Sequence, residues 1–285
     1  MSVPAEPTAS SPFATDAYPL GRSDAETRRL ILQQQIYSPI TRQFLVSAGI
    51  TRGMKVLDLG SGAGDVAMLC ADLVGPQGAV VGIEANGKIV DSARRRVQAM
   101  GWQNVEFREG DIRGLDLPRG FDAVVGRWVL MYVEEPDLLL RQVTRLLRPG
   151  GIVAFQESVN LKAAVVTYPR TPTHDAVQQW LNPPVDPPMP VFDMGLRLYG
   201  TYLAAGLDGP ELRQEAPIGG GPDWPGYAYL AESARSLLPF MEQIGTVTAA
   251  EADIDTLEER LRDEALAHDA VQILPAVVGA WTTTR

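Results

Sequence analysis

The stretch VLDLGSGAGD at residues 56–65 commits the chain more than any other. An apolar run breaks into glycines at Gly60, Gly62 and Gly64, then closes on Asp65, after which VAMLCADLV carries helical spacing. This is the pattern of a buried strand, a tight turn and a helix. Glycines let a ligand approach the backbone, and the start of the helix offers unpaired N–H groups and a partial positive charge. The alternation then continues. Strands are predicted at 55–59, 79–83, 105–109, 121–126 and 151–157, separated by helices at 65–74, 87–100 and 136–147. Short β-branched strands divided by helices predict a doubly wound α/β domain, a parallel sheet with helices on both faces.

The flanks are less regular. Residues 1–22 are rich in Pro, Ser, Ala and Thr and are expected to form a flexible tail. Ser23 with Glu26 reads as a capping box opening a helix to Tyr37, and Ser38–Pro39 as the start of a second helix that Gly49 closes. The expected organisation is a tail (1–22), cap helices (23–50), a ligand-binding core (51–157) and a remainder (158–285) that completes the sheet. Two insertions, 158–191 and 222–268, are expected to cover the active site. Residues 158–190 hold seven prolines and read as an irregular loop. Beyond it, a helix over 192–205, a sixth strand over 212–217, a helical stretch over 228–268 and a final strand over 271–281 complete the expectation.

Charge narrows the partners. The chain carries a net charge of -10, so it lacks the basic field that nucleic acid or an anionic membrane requires. A small-molecule partner, no nucleic acid, no membrane and a cytoplasmic location are expected, with a homodimer possible through the acidic and arginine-rich face of 251–264. The single cysteine, Cys70, reads as core packing, and no Cys or His pair has metal-ligand spacing.

The acids identify the ligand. A dinucleotide turn is G-x-G-x-x-G/A, whereas Asp65 stands here where the third small residue belongs, and Asp58 lies just upstream. Glu84 follows the second strand, where a carboxylate accepts from both hydroxyls of a ribose, and Asp111 follows the third, within reach of an adenine amine. A crevice lined by carboxylates suits an adenosine whose tail is an amino acid and a sulfonium, not a phosphate. With VVGIE, EGDI, FDAVVGRWVLMYVEEP and LLRPGG in the same order, residues 54–157 resemble the class I S-adenosylmethionine-dependent methyltransferases, close to the ubiquinone/menaquinone-type small-molecule branch.

The resemblance implies a seven-stranded sheet with its last strand antiparallel, S-adenosyl-L-methionine as cofactor and methyl transfer to O, N or C of a metabolite. It places the methionine moiety over Gly60, Ser61 and Gly62 beside Asp58 and Gly64, the ribose on Glu84 and Ala85, and the adenine near Gly110, Asp111 and Ile112. Arg127 is expected to line the pocket, and Tyr37, Trp128 and Tyr132 to offer aromatic faces to the sulfonium. For the acceptor's proton, His174 in the proline-rich loop is the first candidate base and Glu157, at the end of the fifth strand, the second. Two other readings remain: a cyclase or non-catalytic binder on the same fold, and a nicotinamide-dependent dehydrogenase.

Overall fold

The computed structural model describes residues 24–114, 117–159, 165–182 and 193–285, with side chains from residue 28. The expected tail 1–22, the Ser23 cap and much of the proline-rich stretch lie outside the described residues.

The sheet grows from its most apolar strands. β1 (Lys55–Leu59) and β4 (Phe121–Arg127) are buried almost throughout and pair in parallel at the centre. β2 (Ala79–Glu84) and β3 (Val105–Glu109) extend the sheet on one side of β1. On the other side of β4 lie β5 (Leu147–Val159), β10 (Ala276–Thr283) and β7 (Glu211–Glu215), giving the order β3-β2-β1-β4-β5-β10-β7. β10 runs antiparallel to both neighbours. The chain therefore winds one way from β1 and the other way from β4, and a crevice opens where the directions diverge.

Helices seal both faces. α2 (Asp65–Val74) and α3 (Gly87–Ala99) bury Ala71, Val90 and Val97 with Phe107 on one face; α4 (Pro136–Thr144) and α6 (Met194–Ala204) bury Leu139, Leu140 and Tyr202 against Phe155 on the other. A third cluster forms a cap over the crevice. There Ile36 and Tyr37 of α1 (Asp24–Ser47) meet Val177 of α5 (Pro172–Leu181), Tyr227 and Leu230 of α7 (Gly226–Gln243), and Leu257 and Leu261 of α9 (Ile254–Ala267). One-turn α8 (Ala249–Ala252) joins α7 to α9.

Four expectations change. The two N-terminal helices are one, α1, with Pro39 inside it. Pro39 and Gln35 are both exposed, so the carbonyl that loses its N–H partner stays on the wet face. The proline-rich stretch is not wholly irregular, since Thr167–Tyr168 forms β6 and Pro172 opens α5 at the helix start, where its missing N–H costs nothing. The final strand is two: Val271–Ile273 (β9) joins β6 and β8 (Ile218–Gly219) in a separate three-stranded sheet, and Pro275 separates it from β10. β5 begins at Leu147, not at 151, because Leu147 already pairs with Phe121 before a register shift admits Arg148 to Gly151.

Candidate active site

The crevice floor is the turn after β1. Gly60, Gly62 and Gly64 take φ values of 59°, 51° and 91°, in the left-handed region that suits glycine. A Cβ on Gly60 would fall 2.6 Å from Val129 Cγ2, whereas a Cβ on Gly62 would meet nothing within 4 Å. The turn is thus packed from behind at Gly60 and open at Gly62. Ser61 N–H donates to the Ile83 carbonyl (2.9 Å), which fixes the turn against β2. Asp58 and Ser61 are buried beside the turn, with the Ala67 amide directed at the Asp58 carboxylate. Burial pushes the Asp58 carboxyl up to about 8, against the pull of the Arg127 charge.

Glu84, at the end of β2, faces the same opening. One carboxylate oxygen accepts from Gly62 N–H (3.1 Å) and the other from Asn86 N–H (3.0 Å), so the acid is already aimed across the turn. Gly110 N–H donates to the Glu84 carbonyl (3.0 Å), which draws the ends of β2 and β3 together. Ala85 is exposed at this edge, and Ile112 packs half-buried against the core. Asp111 behaves differently, since its exposed carboxylate is held by Arg113 in a side-chain pair (2.6 Å) that lowers its pKa.

The opposite wall is aromatic. Trp128 stands at φ 56°, with its N–H on the Gln156 carbonyl (2.9 Å), and meets Tyr37 edge-on at 5.1 Å. Tyr37 in turn meets Tyr229 of α7 at 6.1 Å, and its hydroxyl donates to the Pro275 carbonyl (2.9 Å). Arg127 lies buried with its guanidinium 4.7 Å above the Trp128 ring and donates to Thr41 Oγ1 (2.9 Å), whose hydroxyl donates to Gln156 Oε1 (2.7 Å). Tyr132 is half exposed.

Neither proton acceptor expected from the sequence stands as a free base. Glu157 is fully buried, and its Oε1 accepts from the N–H groups of Val129 (3.0 Å) and Leu130 (2.8 Å), at the start of the 3-10 turn Leu130–Tyr132. Burial raises its carboxyl to about 8 despite those amides. The acid therefore holds in place the turn whose Val129 packs behind Gly60. His174 is not on a loop but in the first turn of α5, fully buried, with neither ring nitrogen hydrogen-bonded among the described residues. Burial pulls it down to about 4, and the charges around it are Asp175, Arg170 and Glu264, none from the glycine turn. Sequence reasoning missed Thr41, Gln156 and Arg96, whose roles depend on contacts between elements far apart in the chain. The one available signal was Thr41 standing one helical turn after Tyr37.

Residues 50–183 match the family described as "Methyltransferase domain". That match covers a little under half of the chain. The arsenite methyltransferase of Aquipseudomonas alcaligenes is 33% identical over 138 residues, which is 44% of this chain and 40% of that protein. The ubiquinone/menaquinone biosynthesis C-methyltransferase of Hahella chejuensis is 33% identical over 118 residues, covering 40% of this chain and 47% of that protein. The chain thus spans less than half the length of either relative. A crystal structure of a SAM-dependent methyltransferase from Aquifex aeolicus superposes with a TM-score of 0.50 at 19% identity, covering 68% of this chain and 92% of that one, a likeness of fold. The matched residues hold the glycine turn, Glu84, Arg127, Glu157 and α5, whereas the other cap helices, α1, α7 and α9, lie outside them.

Proposed function

We propose that the chain is an S-adenosylmethionine-dependent methyltransferase that acts on a small, apolar or aromatic metabolite in the cytoplasm. The observation that carries this reading is the glycine turn of the methyltransferase domain, open at Gly62 and faced by Glu84. The residues present fit the cofactor. The space beside Gly62 admits a ligand against the backbone, and the buried Asp58 and Ser61 oxygens beside the turn suit its amino-acid end. Glu84 is the acceptor for ribose hydroxyls, and Ile112 the apolar contact for the base. When bound, this cofactor supplies a methyl group already activated on a sulfonium.

The protein's own work is then alignment and exclusion of water. Tyr37, Trp128 and Tyr229 form an aromatic wall suited to a cationic centre, and the cap of α1, α5, α7 and α9 closes over it. The acceptor's own electron pair makes the new bond, and no side chain here is assigned to removing its proton. An arsenite and a quinone-pathway relative support a small acceptor. Incubation with methyl-labelled cofactor and fractionated metabolite extract tests the reading, which expects label in a low-mass product. Tight binding of the cofactor with no product in any fraction favours the cyclase or binder reading instead.

A further inference from the structure

Asp65, the acid that breaks the dinucleotide pattern, has a structural consequence that neither the family match nor the cofactor reading uses. It opens α2 directly after the glycine turn, and its half-buried carboxylate lies 2.8 Å from Arg96 Nη1 and 4.0 Å from Arg127 Nη2. Each arginine reaches on to the cap. Arg96, from the last turn of α3, donates to the Ala63 carbonyl in the glycine turn (2.5 Å) and to Gln34 Oε1 on α1 (2.9 Å). Arg127, from the end of β4, donates to Thr41 Oγ1 on α1 (2.9 Å), and that hydroxyl continues to Gln156. Gln34 and Thr41 are seven residues apart, two turns on one face of α1, so the helix is held at two points about 10 Å apart. Two anchors fix an orientation, which one cannot do.

We propose that Asp65 is a positioning residue, the hub of a two-armed latch through Arg96 and Arg127 that docks α1 over the glycine turn and couples the seating of the cap to the state of that turn. The charges facing the hub are Arg96 and Arg127, with Asp58 and Glu84 as the neighbouring acids. Without Asp65, the Arg96 and Arg127 guanidiniums lose their shared counter-ion, and the polar hold on α1 loosens while its apolar packing remains. Through α1 the latch also places Tyr37 against Trp128, so under the methyltransferase reading ligand binding at the turn tightens the aromatic wall.

Hydrogen exchange on the full chain, with and without S-adenosylhomocysteine, tests the latch in Asp65→Asn, which keeps the side-chain shape, and in Arg96→Met, which keeps its length. In the ligand-free protein both variants are expected to speed exchange of amides 28–47 by about tenfold, from the loss of a charge-assisted contact, and to leave the β1, β4 and β5 amides unchanged. In the wild type the ligand slows exchange of 28–47 further, and Asp65→Asn loses that extra protection, whereas Asp65→Glu regains part of it. Unchanged exchange of 28–47 in both variants, or an equal rise across the sheet, overturns the latch. A wild-type protein that fails to bind S-adenosylhomocysteine overturns the cofactor reading instead, and the ligand-free exchange still decides the latch.

Discussion

The strand side of the crevice and its cap side hold their polar groups in different ways. On the strand side the groups facing the opening are backbone amides and short acids fixed by the sheet: Gly62, Asp58, Ser61, and Glu84 on two N–H groups. On the cap side the contacts run between long side chains from separate elements, as in Arg127 to Thr41 to Gln156 or Tyr37 to Pro275. The first kind is set locally, by a strand end and a turn, and tolerates little change. The second is set by packing of helices, and its parts can be altered one at a time. A site of this type keeps its cofactor half rigid and leaves adaptation to the cap.

Substitutions can break that contrast, and the strongest effect belongs to the turn. Gly60→Ala forces a left-handed residue and a Cβ onto Val129, so S-adenosylhomocysteine affinity is expected to fall by about 100-fold or more by calorimetry. Glu84→Gln keeps an acceptor but removes its charge, and the same titration is expected to give about a tenfold loss. If Gly60→Ala binds normally, the strand side is not the rigid half.

Three buried groups sharpen the comparison through pH. Between about 4.5 and 8 the folded protein keeps the Glu157 proton that the unfolded chain has released, so stability falls as pH rises through that window. Asp58, raised from 3.8 to about 8, adds to the same trend. His174 acts in the opposite sense: from 6.5 down to about 4 only the unfolded chain takes the proton, so stability is lost as pH falls. Thermal melts across pH 5 to 9 are expected to flatten on the alkaline side in Glu157→Gln and on the acidic side in His174→Asn, the latter with cofactor affinity unchanged. A large loss of methyl transfer in His174→Asn with cofactor affinity unchanged would return that residue to the site. The smallest effect is expected at Gly200, exposed within α6 with open space at its Cβ position. Gly200→Ala is expected to add about 0.5–1 kcal/mol of stability, a rise of roughly 1–4 °C in Tm, without touching binding.

The same contrast explains what the sequence made legible. The short β-branched strands, the glycine turn and the acids at strand ends are local signals, so the β1 to β5 core and the placing of Asp58, Gly62 and Glu84 could be read from residues alone. Pro39 misled because its helix survives on a wet face, and the seven prolines hid a helix that one of them starts. His174 looked like a loop base because nothing in TPTHDAV announces a helix packed on α7 and α9 with this residue buried. Glu157 draws attention by its place at a strand end, but its commitment to the amides of Val129 and Leu130 is visible only once β4 and β5 lie side by side. Arg96 carries no motif and owes its place to the return of α3 beneath α1.

The central claim is that the turn at Gly60 to Gly64, with Glu84, holds S-adenosylmethionine. Calorimetric titration of the full chain with S-adenosylhomocysteine, beside NAD(H) under the same conditions, tests it most directly. One-to-one binding of S-adenosylhomocysteine, weakened in Glu84→Gln, with no heat from NAD(H), is the expected result. Binding of NAD(H) with none of S-adenosylhomocysteine would contradict the account.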